Sequence, residues 1–319
     1  MKVVYLLQNR GIERRTPAGW SHAVISAGPD GAYSEEDLRE IGDADFLVVG
    51  LEPVDERVLA AAQRVKLVQR LGRGHSNIDL EAAERLGIPV AGMPDFNAAS
   101  VAEHALMLML ALLRGVFEST LLIKAGRWPV REVVNHGVFD LAGRTVGVIG
   151  LGAIGRAVAT RLLAFDARVL YTDPAVEGGE DLEAMPLEPL LRESDVVTLH
   201  VPLTPETRGM IGSRELGWMK RTALLVNTAR GALVDEAALA EALQEGRIAG
   251  AGLDVFADEP LDREHPLRRC PNVLLTPHTA GQTREAMERM VAMMLENLER
   301  VAAGEPALYP VSPEGSTAT

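Results

Sequence analysis

The chain has 319 residues, of which 47% are hydrophobic, 24% charged and 4% aromatic, as expected of a globular protein of about two domains. Lys and Arg number 32 against 45 Asp and Glu, which gives a net charge of -13. A field of that sign repels nucleic-acid phosphates and anionic membranes, so we predict neither as a partner. A small anionic substrate, held by a few cations, stays compatible with it.

The single cysteine, Cys270, excludes an internal disulfide and a cysteine-rich metal centre, and we predict no metal site. The longest apolar run, residues 105–113, lies between His104 and Arg114 and has about half of the ~20 residues that a membrane span needs. The first residues lack the small-residue cleavage site of an export signal. We therefore predict a cytoplasmic protein.

Short runs rich in Val and Leu alternate with helical stretches over the first ninety or so residues. Ser34 and Asp79 are expected to cap helices at the N-terminal end, and Gly87 to end one. Such alternation predicts a parallel, doubly wound sheet. The predicted strands are 2–7, 46–50, 66–71 and 89–91, and the predicted helices are 34–41, 55–62 and 79–86.

The helix predicted over 96–115 is apolar around most of its surface, because Ala, Leu and Met fill nearly every position from Val101 to Leu113. Such a helix must be covered on several sides. We predict that a second domain and a second subunit cover it, so that the protein is a homodimer through the 97–115 region.

A second series of strands and helices begins at Arg144. A long amphipathic helix is predicted over 283–303, and the tail from Gly304, rich in Pro, Gly and Ser, is predicted to fray. The fold class is therefore α/β, with two doubly wound parallel-sheet domains. The predicted strands of this series are 145–150, 168–172, 195–201, 223–227, 249–255 and 273–276.

The segment Gly150-Leu151-Gly152-Ala153-Ile154-Gly155 fits the pattern G-x-G-x-x-G. A strand enters it and a helix leaves it, which is the context that distinguishes a dinucleotide site from a chance match. The first glycine permits the tight turn, the second lets the backbone approach a pyrophosphate, and the third allows close helix–strand packing. The helix N-terminus offers free N–H groups to the phosphates.

Asp173 ends the next strand, about 20 residues after the glycines. Its carboxylate can accept hydrogen bonds from the two ribose hydroxyls of the adenosine. A 2′-phosphate there would meet a like charge, and the following Pro174 and Ala175 supply no cation. The sequence therefore predicts NAD rather than NADP as cofactor.

Four polar residues follow the later strands, where open α/β sheets bind their ligands: Arg230, Asp254, Glu259 and His278. Hydride transfer to a 2-keto acid needs a bidentate cation for the carboxylate, which Arg supplies better than Lys. It also needs a proton donor for the carbonyl oxygen, for which His is suited, and a carboxylate that orients that His. Arg, Glu and His form this set.

The ordered motifs resemble the D-isomer-specific 2-hydroxyacid dehydrogenase family, which includes phosphoglycerate, glycerate, D-lactate and phosphite dehydrogenases. The resemblance runs through almost the whole chain. It rests on the glycine motif together with segments 72–79, 101–104, 200–207, 227–231, 254–256 and 276–278.

The resemblance implies a role for each matching residue. Arg230 would bind the substrate carboxylate, His278 would be the acid/base and Glu259 its partner, while Asp254 would hold the nicotinamide carboxamide. Arg73, Gly74 and Arg230 would bind substrate. The remaining cofactor-binding positions would be Gly150, Gly152, Ala153, Ile154, Gly155, Asp173, His200, Val201, Pro202, Thr207, Thr228, Ala229 and Gly281, with His278 also facing the cofactor.

The resemblance also implies the domain organisation. Residues 1–97 and 283–319 would form a discontinuous, flavodoxin-like substrate domain. Residues 98–282 would form a Rossmann NAD-binding domain inserted into it.

Arg73 departs from the family pattern, since a small or apolar residue is common between these glycines. Its guanidinium either adds a second anion contact or is a plain surface cation. The first reading keeps a phosphite dehydrogenase-like enzyme as an alternative. A second alternative is a non-catalytic, NAD(H)-sensing corepressor-type protein. Formate oxidation is disfavoured, because it releases no hydroxyl proton and that branch of the family has Gln in place of Glu259.

Overall fold

The structure, a computed structural model, describes residues 1–7, 15–176, 179, 181–270 and 272–313. Within these ranges no single helix is long and apolar enough to span a membrane. Helices Ala98–Leu113 and Val116–Lys124 meet the length and composition criteria only when taken together, across a bend of 62°.

The strands are, in chain order, β1 (Lys2–Leu6), β2 (Ser21–Ile25), β3 (Phe46–Val49), β4 (Leu67–Arg70), β5 (Val90–Ala91), β6 (Thr145–Ile149), β7 (Arg168–Thr172), β8 (Glu183–Ala184), β9 (Val196–Leu199), β10 (Leu224–Asn227), β11 (Gly250–Leu253), β12 (Val273–Leu275) and β13 (Pro310–Val311). The helices are α1 (Glu35–Gly42), α2 (Glu56–Ala61), α3 (Leu80–Arg85), α4 (Ala98–Leu113), α5 (Val116–Lys124), α6 (Val130–His136), α7 (Ala153–Ala164), α8 (Leu187–Glu193), α9 (Ser213–Trp218), α10 (Glu236–Gln244) and α11 (Arg284–Ala302).

The chain divides into two compact units. Unit 1 combines Met1–Asn97 with Arg284–Thr319, and unit 2 is Ala98–Thr283.

The sheet of unit 1 has the strand order β13-β5-β4-β3-β1-β2, in which β1 to β5 are parallel. The order 5-4-3-1-2 is that of flavodoxin-like folds. Helices α1 to α3 begin as the sequence predicts: the side chain of Ser34 accepts from Asp37 N, and that of Asp79 accepts from Ala82 N. Both faces of β1 and β3 are buried, as expected for a doubly wound sheet.

The tail corrects one prediction, since residues 310–311 form β13, antiparallel to β5. A buried polar network holds this end of the chain. Asn297 of α11 donates to Gln69 Oε1 at 2.7 Å and accepts from Leu308 N at 2.7 Å. Proline starts β13, a position on an edge strand where its missing N–H is tolerated.

Unit 2 has the parallel strand order β12-β11-β10-β9-β6-β7-β8. Counted from β6, the strands from β8 to β11 follow the order 3-2-1-4-5-6 of dinucleotide-binding sheets, and β12 extends it. The predicted α/β fold with two doubly wound sheets is therefore confirmed, with β13 as the one antiparallel addition in the described ranges.

Helix α4 is covered largely within unit 2, where it packs on α7, β10 and β11. Glycines of β11 make this close approach possible, because a Cβ at Gly252 would lie 3.0 Å from the Cβ of Leu108. Elements of the second series of strands and helices therefore cover α4, as predicted for a second domain, and the second subunit stays a prediction. Met107 of α4 is exposed, and further exposed apolar side chains lie on and after α5 and include Phe117, Leu121 and Trp128.

Candidate active site

The glycine motif forms the turn between β6 and α7. Gly150 has φ +91° and lies against the neighbouring strand, since a Cβ there would be 2.6 Å from the carbonyl oxygen of His200. A Cβ at Gly155 would overlap the carbonyl oxygen of Gly150. Space is open in front of Gly152, and no side chain caps α7, whose first turn holds Ala153 and Ile154 and no acidic residue. Among the described residues no side chain occupies the first N–H groups of α7, which can therefore bind an anion.

Asp173 lies directly after β7 and is tied to this turn. Its Oδ2 accepts from Leu151 N at 2.7 Å and its Oδ1 accepts from Ala175 N at 2.9 Å. Each carboxylate oxygen has two acceptor positions, so both can still receive a ribose hydroxyl. The cavity beside it, about 540 Å³, is lined by Asp173, Pro174, Ala175 and neighbouring apolar side chains.

His200 follows β9. Its Nε2 lies 2.9 Å from Thr198 Oγ1, and its buried Nδ1 has no hydrogen-bond partner among the described residues. Burial lowers the pKa of His200 to about 3, so the ring is neutral at ordinary pH. In the loop that follows, Thr207 Oγ1 donates to the carbonyl oxygen of Pro202 at 2.7 Å, while Val201 packs against Gly150.

Three neighbouring strands end at one edge of the unit 2 sheet, because Asn227 of β10 pairs with Leu253 of β11, which pairs with Leu275 of β12. The residues that follow are the predicted ones. Thr228, Ala229 and Arg230 follow β10, Asp254 follows β11, and His278 comes three residues after β12.

Arg230 lies on an exposed loop, and its Nη1 donates to the carbonyl oxygen of Ala229 at 2.7 Å. The next residue must be glycine, because a Cβ at Gly231 would overlap the backbone of Phe256 and Ala257. This contact brings the loop of Arg230 beside the loop that leads to Glu259. Thr228 Oγ1, before Arg230, is buried without a partner in the described part of the chain.

His278 and Glu259 are brought together. Nδ1 of His278 lies 2.7 Å from Oε2 of Glu259, and the other oxygen, Oε1, accepts from Phe256 N at 3.0 Å. The two side chains are 51% and 35% exposed, so the imidazole is held by a partner and still open to a reactant. His278 has φ 54°, a left-handed conformation uncommon for a residue with a side chain.

Asp254 is buried beneath this pair, with its side chain 1% exposed. Its Oδ1 accepts from Thr276 Oγ1 at 2.6 Å and from Thr279 N at 3.0 Å, and its Oδ2 accepts from Ala280 N at 2.8 Å. Its backbone carbonyl accepts from His278 N at 2.8 Å. Asp254 therefore holds the turn that carries His278 and leads to Gly281, a function that the sequence did not indicate.

His104 is not among the predicted site residues. It lies on α4, and its Nε2 is 2.9 Å from Thr276 Oγ1 and 3.6 Å from Asp254 Oδ1. The only signal was a histidine in an otherwise apolar helix, and no spacing links residue 104 to residues 254 and 276.

Arg73 and Gly74 belong to unit 1, in the loop after β4. Arg73 forms an exposed ion pair with Asp95 at 2.8 Å, and a Cβ at Gly74 would meet nothing within 4 Å. The buried Arg70 fixes this loop, because it donates from Nε to Asn77 Oδ1 at 3.2 Å and from Nη1 to Leu71 O at 2.6 Å.

These features of unit 2 fit a dinucleotide. The uncapped helix N-terminus and the open space at Gly152 suit a pyrophosphate, and Asp173 suits a ribose. The unpartnered buried atoms of His200 and Thr228 lie after strands of the same sheet edge. Fold and site together are those of a dinucleotide-binding protein.

Comparisons with known proteins agree. Residues 106–280 match the family model described as D-isomer specific 2-hydroxyacid dehydrogenase, NAD binding domain. A glyoxylate reductase from Korarchaeum cryptofilum is 43% identical over 275 residues, which cover 84% of this chain and 82% of that protein.

Two solved structures are similar over nearly all of both chains. The TT0316 protein from Thermus thermophilus has a TM-score of 0.86 and 37% identity, covering 98% of this chain and 100% of that one. An NAD-dependent formate dehydrogenase from Staphylococcus aureus, in complex with NAD, has a TM-score of 0.77 and 31% identity, covering 97% of each chain.

The chain belongs to the D-isomer specific 2-hydroxyacid dehydrogenase family, as the sequence motifs predict, and its cofactor is NAD.

Proposed function

We propose that the protein interconverts a 2-keto acid and a D-2-hydroxy acid, with His278 as acid/base, Glu259 as its partner and Arg230 binding the substrate carboxylate. The contact of 2.7 Å between His278 and Glu259, at the sheet edge that carries the dinucleotide-binding elements, is the observation that supports this reaction. When bound, NAD supplies or takes up the hydride at its nicotinamide ring.

The contacts of His278 support a separate task for each of its two nitrogens. Nδ1 is engaged by Glu259, so Nε2 is the nitrogen available to give a proton to a carbonyl oxygen or to take one from a hydroxyl. Glu259 is itself fixed by Phe256 N, and it therefore orients the ring.

Asp254 has limited capacity for a ligand. Three of its four acceptor positions are used by Thr276, Thr279 and Ala280, which leaves one on Oδ2. That position suits a single N–H donor, such as the carboxamide of the nicotinamide.

Arg230 and Arg73 are the proposed cations for the substrate. Arg230 donates only to a neighbouring backbone carbonyl among the described residues, so its remaining N–H groups can form a bidentate pair with a carboxylate. Arg73 has an exposed carboxylate partner, and such pairs exchange readily because they contribute little stability. We propose Arg73 and the backbone at Gly74 as further contacts for an anionic group.

Turnover with a panel of substrates tests this proposal. We expect NADH oxidation with one or more of glyoxylate, hydroxypyruvate, pyruvate and phenylpyruvate, and glyoxylate comes first because a 43% identical relative is named glyoxylate reductase. Phosphoglycerate and phosphite are tested in the oxidative direction. Activity with phosphite alone would contradict the proposed 2-keto acid reaction. It would favour the phosphite dehydrogenase-like alternative, which Arg73 supports. Tight NADH binding without any turnover would favour the sensor alternative.

We also propose a homodimer. The support is the apolar surface on and after α5, where Phe117, Leu121, Trp128 and Val130 are exposed and Trp128 is exposed by 81%. An apolar surface of this kind is typical of a protein interface. Light scattering on the purified protein should give twice the chain mass, and Trp128→Glu should shift it to the monomer; a monomeric wild type contradicts this proposal.

A further inference from the structure

A second imidazole lies close behind the proposed acid/base. His104 of α4 contacts Thr276 Oγ1 at 2.9 Å, and its side chain is 16% exposed. Thr276 in turn lies 2.6 Å from Asp254 Oδ1. The proposed reaction assigns no role to His104 or to Thr276.

The direction of these hydrogen bonds can be deduced. The Asp254 carboxylate accepts from two backbone N–H groups, one on each of its oxygens. An ionised carboxylate only accepts, so the single hydroxyl hydrogen of Thr276 must point to it. The Thr276 oxygen can then only accept from His104, which must carry a hydrogen on Nε2. His104 therefore donates to Thr276, and Thr276 donates to Asp254.

Asp254 connects this chain of hydrogen bonds to the turn that carries His278. Its carboxylate holds Thr279 N and Ala280 N, and its backbone carbonyl holds His278 N at 2.8 Å. His278 lies between these contacts with a left-handed φ of 54°, a conformation that needs support from its surroundings. Loss of the first donor would leave the Thr276 hydroxyl free to rotate away from Asp254.

We propose that His104 is a positioning residue for His278: by donating to Thr276 it directs that hydroxyl at Asp254, which keeps residues 278–280 in the conformation that points the imidazole at Glu259. This inference rests on the proposed function for its effect on turnover, whereas its structural part stands on the contacts alone.

Four variants test the proposal. His104→Leu and Thr276→Val remove the donor and the hydroxyl at similar volume. His104→Gln and Thr276→Ser are their matched controls, because Gln can place an N–H donor near the position of Nε2 and Ser keeps the hydroxyl. Met107→Leu, at an exposed position of the same helix, controls for a change in α4 itself.

Amide hydrogen exchange of the apo protein gives the first measurement. We expect His104→Leu and Thr276→Val to speed exchange at Thr279 and Ala280 about tenfold, while β6 stays as protected as in the wild type. The two conservative variants should keep the wild-type rates. Unchanged exchange at these two amides in His104→Leu would overturn the proposal, whether or not the wild type turns over any substrate.

Steady-state kinetics give the second measurement, once the wild type has been assayed with the substrate panel. A displaced catalytic group slows the chemical step. We therefore expect kcat to fall about tenfold in His104→Leu, with the KM for NADH within twofold and activity recovered in His104→Gln. Because both substitutions break one chain of donors, the double variant His104→Leu/Thr276→Val should be no slower than the poorer single variant.

The outcomes separate the two proposals. If the wild type is inactive and exchange is fast in His104→Leu, the proposed function is contradicted. The positioning role of His104 is then still supported. An active wild type and an equally active His104→Leu contradict the positioning role and leave the proposed function standing.

Discussion

Two loops at the same edge of the unit 2 sheet carry a histidine after a strand, and their surroundings separate their chemistry. His278, in the loop after β12, is half exposed and lies against the Glu259 carboxylate. His200, in the loop after β9, has a buried Nδ1 without a partner among the described residues, and burial lowers its pKa to about 3. One imidazole has a carboxylate partner and is open to a reactant, and the other stays neutral and can only donate or accept a hydrogen bond.

The contrast between His278 and His200 shows that residue type and strand-end position are not enough to identify an acid/base. Both histidines satisfy the rule that ligands bind beyond the carboxyl ends of the strands. A carboxylate partner together with access to solvent distinguishes His278, and that partner lies in the loop after β11 rather than in the sequence around residue 278.

The largest expected effect is that of removing the proposed acid/base. His278→Ala should lower kcat by about 10²- to 10⁴-fold, because no other described side chain at this position can supply the proton, while NADH affinity measured by fluorescence stays nearly unchanged. His200→Gln is the matched control and should keep at least a tenth of the wild-type kcat. A loss below tenfold in His278→Ala contradicts the assignment.

Glu259→Gln should lower kcat by about 10- to 100-fold, the equivalent of losing a hydrogen bond to a charged group. The amide keeps the shape of the side chain but removes the carboxylate charge beside His278. Glu241→Gln, which removes an exposed partner of Arg247, serves as control and should have no effect. Equal rates for Glu259→Gln and the wild type would show that His278 works without its neighbour.

Arg73→Ala should raise the KM for the preferred substrate about tenfold or more, since a charged hydrogen bond to an anion contributes ~1.5–3 kcal/mol. Arg85 offers a matched control, because it forms a comparable exposed ion pair in unit 1, with Glu56 at 2.8 Å. Arg85→Ala should leave the KM unchanged. An unchanged KM in Arg73→Ala identifies Arg73 as a surface cation.

The last prediction concerns the free energy of unfolding at acid pH. The pKa of His200 is about 3 in the folded protein and about 6.5 when unfolded, so the unfolded chain binds the extra proton and folding weakens as the pH falls through that window. Protonation of His200 in the unfolded chain should lower the free energy of unfolding by about 1 kcal/mol as the pH falls from about 6.5 to 5.5. Urea titrations at both pH values should show a smaller loss for His200→Gln, and equal losses would contradict the buried, neutral imidazole.

Several elements could be predicted from the sequence because their causes are local. Ser34 and Asp79 cap helices through side chains that bond to amides three residues on, and Gly87 takes a positive φ of 67° at the end of α3. The turn at Gly150 also rests on neighbouring residues. Strand β13 was missed, because two residues in a stretch rich in Pro and Ser carry no periodicity, and their pairing with β5 depends on Asn297.

The alternation of strands and helices, the dinucleotide turn, the acidic residue after β7 and the family could all be predicted, since each depends on residues close together in the chain. Which side chains meet depends on how the strands and helices pack. His278 comes 19 residues after Glu259, and His104 lies 172 residues before Thr276, separations at which no sequence period operates. Such contacts form because parallel strands end at a common edge and α4 packs across it, and burial there then determines which groups can hold a charge.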